Sequence, residues 1–204
     1  MINQKKVNQQ LMDAVTQQNM AGVKASLAAG AEVETRNEKK ATALLVATEL
    51  DDLAIVKLLL AKGANVNLQD NKEDSPFLFA GAEGRLAVLK ELAKHDPDQR
   101  IVNRFGGNAL IPAAEKGHLE TVCFLLEKTQ VVVNHVNNLG WTALLEAIIL
   151  SDGGNTQQEI VNLLLANGAN PNMKDAKGVS PLRHAKDMRF DQIAQALIEA
   201  GGRE

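Results

Sequence analysis

The sequence predicts an all-α solenoid of about six helix-turn-helix repeats, each opened by a projecting turn or hairpin. Three observations predict it. Related residues return at near-constant spacing along the 204-residue chain. A residue able to cap a helix stands at the start of every unit after the first, and a second apolar helical stretch follows and in most units meets a glycine.

Alignment brings out the repeat. Gln9, Thr42, Ser75, Asn108, Thr142 and Ser180 are separated by 33, 33, 33, 34 and 38 residues. Two positions beyond each stand Leu11, Leu44, Phe77, Leu110, Leu144 and Leu182, and five beyond stand Ala14, Ala47, Ala80, Ala113, Ala147 and Ala185. The units run at about 5–36, 37–69, 70–102, 103–136, 137–174 and 175–204, within one domain spanning 1–204.

Each unit opens with a turn. Asn37, Asp70, Asn103, Asn137 and Asp175 precede the anchors by five residues and can start Asx turns. Gly106, Gly140 and Gly178 follow where such a turn needs positive φ. The anchors Thr42, Ser75, Asn108, Thr142 and Ser180 then offer side-chain oxygens to the free N–H groups of a first helical turn. In the second unit the next helix reads Leu53-Ala54-Ile55-Val56-Lys57-Leu58-Leu59-Leu60-Ala61 and stops at Gly63. Gly30, Gly168 and Gly201 hold the same slot. Asp96 and Thr129 hold it in units three and four, where a non-glycine in left-handed geometry costs about 1 kcal/mol, so irregular helix ends are expected.

The outer units read as caps, because terminal repeats have one neighbour to stack on. Asn8, Gln9, Gln10, Asp13, Thr16, Gln17 and Gln18 surround Leu11, Ala14 and Val15 in the first. Asp191, Gln192, Gln195 and Glu199 surround Ile193, Leu197 and Ile198 in the last.

The pattern resembles the ankyrin repeat. Ser75-Pro76-Phe77 and Ser180-Pro181-Leu182 lie on its T-P-L, and Gly117-His118 on its G-H. Lys62-Gly63-Ala64-Asn65-Val66-Asn67 and Asn167-Gly168-Ala169-Asn170-Pro171-Asn172 match the end of its unit. The resemblance covers roughly 5–203. The signature histidine is replaced by Leu45, Leu78, Ile111, Leu145 and Arg183, so its hydrogen bonds give way to apolar packing or are absent. Residues 107–114 and 135–147 are also similar to stretches of small bacterial ankyrin-repeat proteins.

Composition narrows the functions. With 22 basic and 25 acidic residues, a net charge of −3 and 3% aromatics, no global field draws nucleic acid or an anionic surface. Single Cys123 leaves no disulfide framework, and no apolar run approaches the roughly 20 residues of a membrane helix. The N-terminal residues Met1 to Gln10 lack a signal-peptide core, so a soluble, cytoplasmic protein is expected. His95, His118, His135 and His184 are scattered without zinc spacing, and no phosphate-cradling glycine loop occurs. Asp152-Gly153-Gly154-Asn155 lacks the alternating ligands of a calcium loop. No enzyme, cofactor or metal is expected.

The resemblance implies that projecting turns and first-helix ends line a concave face used by the family's binders. At those positions polar residues dominate the first half, and an apolar patch of Val102, Phe105, Leu139, Trp141, Ile149 and Leu150, with Asn138, appears in units four and five. Exposed apolar patches mark interaction sites, and tryptophan is over-represented in hot spots. Trp141 is the one tryptophan of the chain: either a partner anchor or a staple between neighbouring turns. The expected function is therefore a protein-binding module. A second reading is a small-molecule or peptide pocket formed by Asn108, His135, Asn138, Trp141, Glu146 and Asp152. A third, for an otherwise monomeric chain, is a scaffold that self-associates. Glu146 replaces Val46 and Phe79 of earlier units, and its carboxylate needs a partner among Asn138, His135 or Asn108. The insertion Ser151-Asp152-Gly153-Gly154-Asn155-Thr156 is read as added function beside Ile149 and Leu150.

Overall fold

A computed structural model describes residues 3–204. Met1 and Ile2, which begin the polar N-terminal stretch, lie outside the described residues. Among the described residues there are helices, turns and one isolated antiparallel bridge, Arg36 with Thr42, but no extended strand. First helices of the repeats are α1 (Gln4–Thr16), α3 (Ala43–Glu49), α5 (Pro76–Ala82), α7 (Leu110–Glu115), α9 (Ala143–Ile149) and α11 (Pro181–Asp187). Second helices are α2 (Met20–Ala28), α4 (Leu53–Ala61), α6 (Leu86–Leu92), α8 (Leu119–Lys128), α10 (Asn155–Ala166) and α12 (Asp191–Glu199). The fold is a solenoid of helix-turn-helix repeats.

The helices begin where side-chain oxygens can take up free amides. Thr42, Ser75, Asn108, Thr142 and Ser180 accept from the N–H of Leu45, Leu78, Ile111, Leu145 and Arg183 at 3.1–3.4 Å. Such caps contribute about 1 kcal/mol each. Second helices end at Gly30, Gly63, Gly168 and Gly201, all with φ between 85° and 92°. The two non-glycine ends behave differently from one another. Asp96 takes left-handed geometry itself, with φ 50°. Thr129 stays extended, and its hydroxyl donates to the Leu125 carbonyl at 2.6 Å.

Of the described residues, those up to Ala80 together with Arg85–Ile101 form one compact unit, and Gly81–Gly84 with Val102–Glu204 form a second. In the first, α1 packs on α3 while α2 and α4, then α4 and α6, stack beside them. In the second, α7, α9 and α11 stack in one layer and α8, α10 and α12 in another. The alanine column Ala47, Ala80, Ala113, Ala147 and Ala185 is fully buried. A short side chain there lets helix backbones approach, and the neighbouring leucines fill the space at about 1.5–3 kcal/mol each. Leu45, Leu78, Ile111 and Leu145, which hold the signature-histidine slot, are buried, whereas Arg183 is exposed and pairs with Asp187 at 2.9 Å. Apolar packing has replaced the histidine in four repeats.

The outer surfaces of α1 and α12 are wet, with Gln9, Gln10, Asp13, Gln17, Asp191, Gln192 and Gln195 exposed. Ile198 is exposed as well, so Ile193, Ala194 and Leu197 carry the apolar face of the last helix. Among the described residues no helix is long and apolar enough to cross a membrane.

Candidate partner-docking site

Every finger is built by one short side chain. Asn37, Asp70, Asn103, Asn137 and Asp175 each accept, through one Oδ1, the amides two and four residues on, at 2.8–3.0 Å. Each also donates its own N–H to the carbonyl four residues on and accepts the amide three residues on. The third position has positive φ throughout: Gly106, Gly140 and Gly178 at 72–79°, but Lys40 and Glu73 at 60–62°. This turn is closed by four local hydrogen bonds and is set before any partner arrives.

The residue at the tip differs along the chain. It is Lys39, Lys72, Phe105, Leu139 and Lys177 in successive repeats, so two apolar tips replace the usual lysine in repeats four and five. Phe105 and Leu139 are each 56% exposed, and Leu150, at the end of α9, is 49% exposed. Val102, Trp141 and Ile149 are half-buried. The structure therefore puts Phe105, Leu139 and Leu150 forward. Trp141 is half-buried, and its backbone closes the turn through Asn137. The Arg104 guanidinium lies 4.5 Å from the centre of the Phe105 ring, a cation–π contact that holds the ring outward.

Fingers four, five and six sit tightly together. The Asn138 amide donates to the Phe105 carbonyl at 2.9 Å, as Asn71 does to Lys39 in the first unit. A Cβ at Gly106 would collide with the Asn138 side chain, and one at Gly140 would fall 3.0 Å from the Ala176 amide. Glycine at these two positions is required by close approach, since Lys40 and Glu73 hold the same slot at positive φ. The three tips form one row.

A buried carboxylate lies beneath the fifth finger. Glu146, 6% exposed, accepts from Asn137 Nδ2 at 2.7 Å. Its partner is thus Asn137, and not Asn138, His135 or Asn108 as the sequence suggested. Asn137 supplies the bond because its Oδ1 faces the turn amides, which leaves its Nδ2 aimed at α9. Burial, and next the nearby Glu115 carboxylate, push Glu146 up to about 7, against the opposing pull of the Asn137 bond. The sixth repeat uses the same pair of slots: His184 Nε2 lies 2.9 Å from Asp175 Oδ2. This nine-residue spacing was visible in the sequence, and reading the Asx residue against the helix would have revealed it.

The other polar residues are spoken for separately. Asn108 caps α7 and donates to the Val132 carbonyl at 3.0 Å. His135 Nε2 meets the Gly106 carbonyl at 2.6 Å. Asn138 is exposed and leans on the Arg104 carbonyl at 3.4 Å. Asp152 is exposed and accepts the Gly154 amide at 2.8 Å. Among the described residues no hydrogen bond joins Asn108, His135, Glu146 and Asp152 to one another.

The insertion is used for construction. Asn155 and Thr156 form the first turn of α10, which at 12 residues is longer than α4, α6 or α8. Ser151, Asp152 and Gln158 satisfy the loop's own backbone, and Gly153 lies flush against the Phe190 ring, where no side chain fits. Cys123 is half-buried with its Sγ 3.3 Å from Glu127. Among the described residues no three His, Cys, Asp or Glu side chains gather as a metal site would require.

Tandem helix pairs, capped in register and opened from the second repeat on by the same Asx finger, define a repeat protein. The chain belongs to the ankyrin-repeat family: the ankyrin-repeat family model, built of three copies, matches residues 11–103 and 77–175. It is 54% identical over 105 residues to the putative ankyrin repeat protein YahD of Escherichia coli K12, a match covering 52% of this chain and 52% of that protein. The chain thus spans about half the length of that relative. Among solved structures it is similar to an ankyrin repeat domain from Acinetobacter baumannii AYE, with a TM-score of 0.91, 46% identity, and coverage of 95% of this chain and 98% of that one. It is also similar to the ankyrin repeat protein EF0377, with a TM-score of 0.91, 39% identity, and coverage of 94% and 98%. Ankyrin repeats mediate binding to other proteins and are typically non-catalytic.

Proposed function

We propose that this chain is a non-catalytic interaction module whose partner protein docks on the finger row and first-helix ends of repeats four and five. The observation that carries the reading is the replacement of lysine by exposed Phe105 and Leu139 at two adjacent tips. Leu150 extends the apolar surface, and Val102, Trp141 and Ile149 border it. Large side chains left in water on a rigid frame lose little ordering entropy when covered, and their burial is the favourable term.

The pocket reading is weaker, because Asn108, His135, Asn138 and Asp152 are already engaged with backbone and Glu146 with the Asn137 side chain. Self-association through the same tips stays the second reading for the exposed apolar set, and sedimentation across a concentration range separates it from a heterologous partner.

The test is a binding measurement on Phe105→Lys/Leu139→Lys, which restores the residue type of the other tips and leaves the Asx turns untouched. Affinity for a partner captured on the wild type should fall about thirtyfold, ~2 kcal/mol, in the range of hot-spot losses. Undiminished binding by the folded variant would remove this face from the account.

A further inference from the structure

The charge around the apolar tips says what kind of segment covers them. Arg104 and Lys177 stand on the fingers that flank Leu139, both exposed, and among the described residues neither has an acidic ion-pair partner. The one acid on these three fingers, Asp175, is buried and taken up by the amides of Lys177 and Val179 and by His184. Exposed acids of this unit lie off the fingers: Glu120, Glu127, Glu159, Asp191 and Glu199 on the second helices, Asp187 and Glu204 paired with Arg183 and Lys186, and Asp152 in the loop after α9, where it accepts the Gly154 amide. In the first unit, by contrast, tip residues Lys39 and Lys72 share their surroundings with Glu49. The fifth repeat has Ile149 in the Glu49 slot. At the helix ends bordering the patch, Lys116 is held by Glu83 at 2.5 Å, and half-buried Glu115 faces Glu146. The row therefore reads cation, apolar, apolar, cation.

Building on the docking face proposed above, we infer that its occupant is an extended acidic segment of another protein. Two apolar side chains of the segment meet Phe105 and Leu139, and its carboxylates face Arg104 and Lys177. Stacked helices lie about 8–10 Å apart, and a segment in polyproline II geometry advances about 3.1 Å per residue with three residues per turn, so every third side chain faces the same way. The two apolar residues of the segment are thus about three apart, with the carboxylate for Lys177 about three further on. A nucleic acid is the poorer match. Two cations neutralise too few phosphates for useful affinity.

The probe is a random dodecapeptide phage library, panned on the wild-type protein, with each enriched peptide then measured on Phe105→Lys/Leu139→Lys. Enriched peptides should pair spaced apolar residues with Asp or Glu, and Arg104→Glu/Lys177→Glu should weaken them about tenfold. Their binding should also weaken as salt rises. Enrichment of neutral or basic peptides, or equal binding to the charge-reversed protein, overturns the acidic occupant while leaving the docking face intact. Peptides that bind Phe105→Lys/Leu139→Lys undiminished overturn the docking face itself. Absence of enrichment, or displacement of the peptides by poly-dT single strand, overturns the peptide class. Circular dichroism of each variant establishes that it is folded.

Discussion

Asn137→Ala should cost about 4 kcal/mol of stability, read as a shifted urea midpoint, which is unusually large for a polar turn residue. The side chain serves three groups at once: the amides of Leu139 and Trp141 through Oδ1, and the Glu146 carboxylate through Nδ2. Removing it leaves two turn amides without their acceptor and a buried carboxylate without its donor, and an orphaned buried group costs about 1–3 kcal/mol, more when charged. Asn103→Ala supplies the comparison. Asn103 accepts the amides of Phe105 and Gly107 in the same way, and in its repeat the slot of Glu146 is Pro112. Its loss should cost about 2 kcal/mol less than that of Asn137 at neutral pH. Equal losses would show that the carboxylate adds nothing to the fifth finger.

Glu146→Gln should stabilise the protein above neutral pH and leave it unchanged near pH 4. In the folded chain Glu146 titrates at about 7, against an ordinary 4.5, because burial and then the Glu115 charge disfavour its ionised form. Between these values the folded state holds a proton that the unfolded state has released, so stability falls as pH rises from about 4.5 to 7 and is level beyond. At about 1.4 kcal/mol for each pH unit between the two values, the full fall is about 3 kcal/mol. Gln keeps the acceptor for Asn137 Nδ2 and has nothing to ionise. The wild-type-minus-variant difference is the quantity to plot. Asp98 and Asp175, whose carboxyls are held low, respectively chiefly by the Arg100 side chain and by turn amides and His184 working against burial, destabilise the fold in the opposite sense as pH falls. They cancel in that difference. A difference that is flat from pH 5 to 8 would contradict the placement of Glu146.

The repeat architecture was legible because the same job recurs at the same spacing. A cap oxygen at Thr42 means little alone, but five cap oxygens in register with five Asx residues specify where chain direction reverses. The helix ends at Asp96 and Thr129 show where such reading stops. Both depart from glycine, yet one accepts left-handed strain and the other escapes into extended backbone, using a hydroxyl that aspartate does not have. At the site, the apolar tips Phe105 and Leu139 were visible as departures from a lysine slot. The partner of Glu146 was missed for a physical reason. Asn137 was already assigned to its turn, and an amide's second end has no periodic signature. The insertion's length was evident in the sequence, but its packing was not: the Phe190 ring that Gly153 lies against comes from the following repeat.

The most direct examination of the docking face is site-specific photocrosslinking in cells of the source organism. A benzophenone side chain is placed in turn at Leu139 and Phe105, and at Lys39 and Lys72, which hold the same tip slot in the first unit. All four positions are solvent-facing and share one turn geometry, so reactivity differs only by what covers them. Discrete adducts of one mass at 105 and 139, with none at 39 and 72, are the predicted result. Adducts confined to 39 and 72, or equal at all four tips, would contradict a partner seated on repeats four and five.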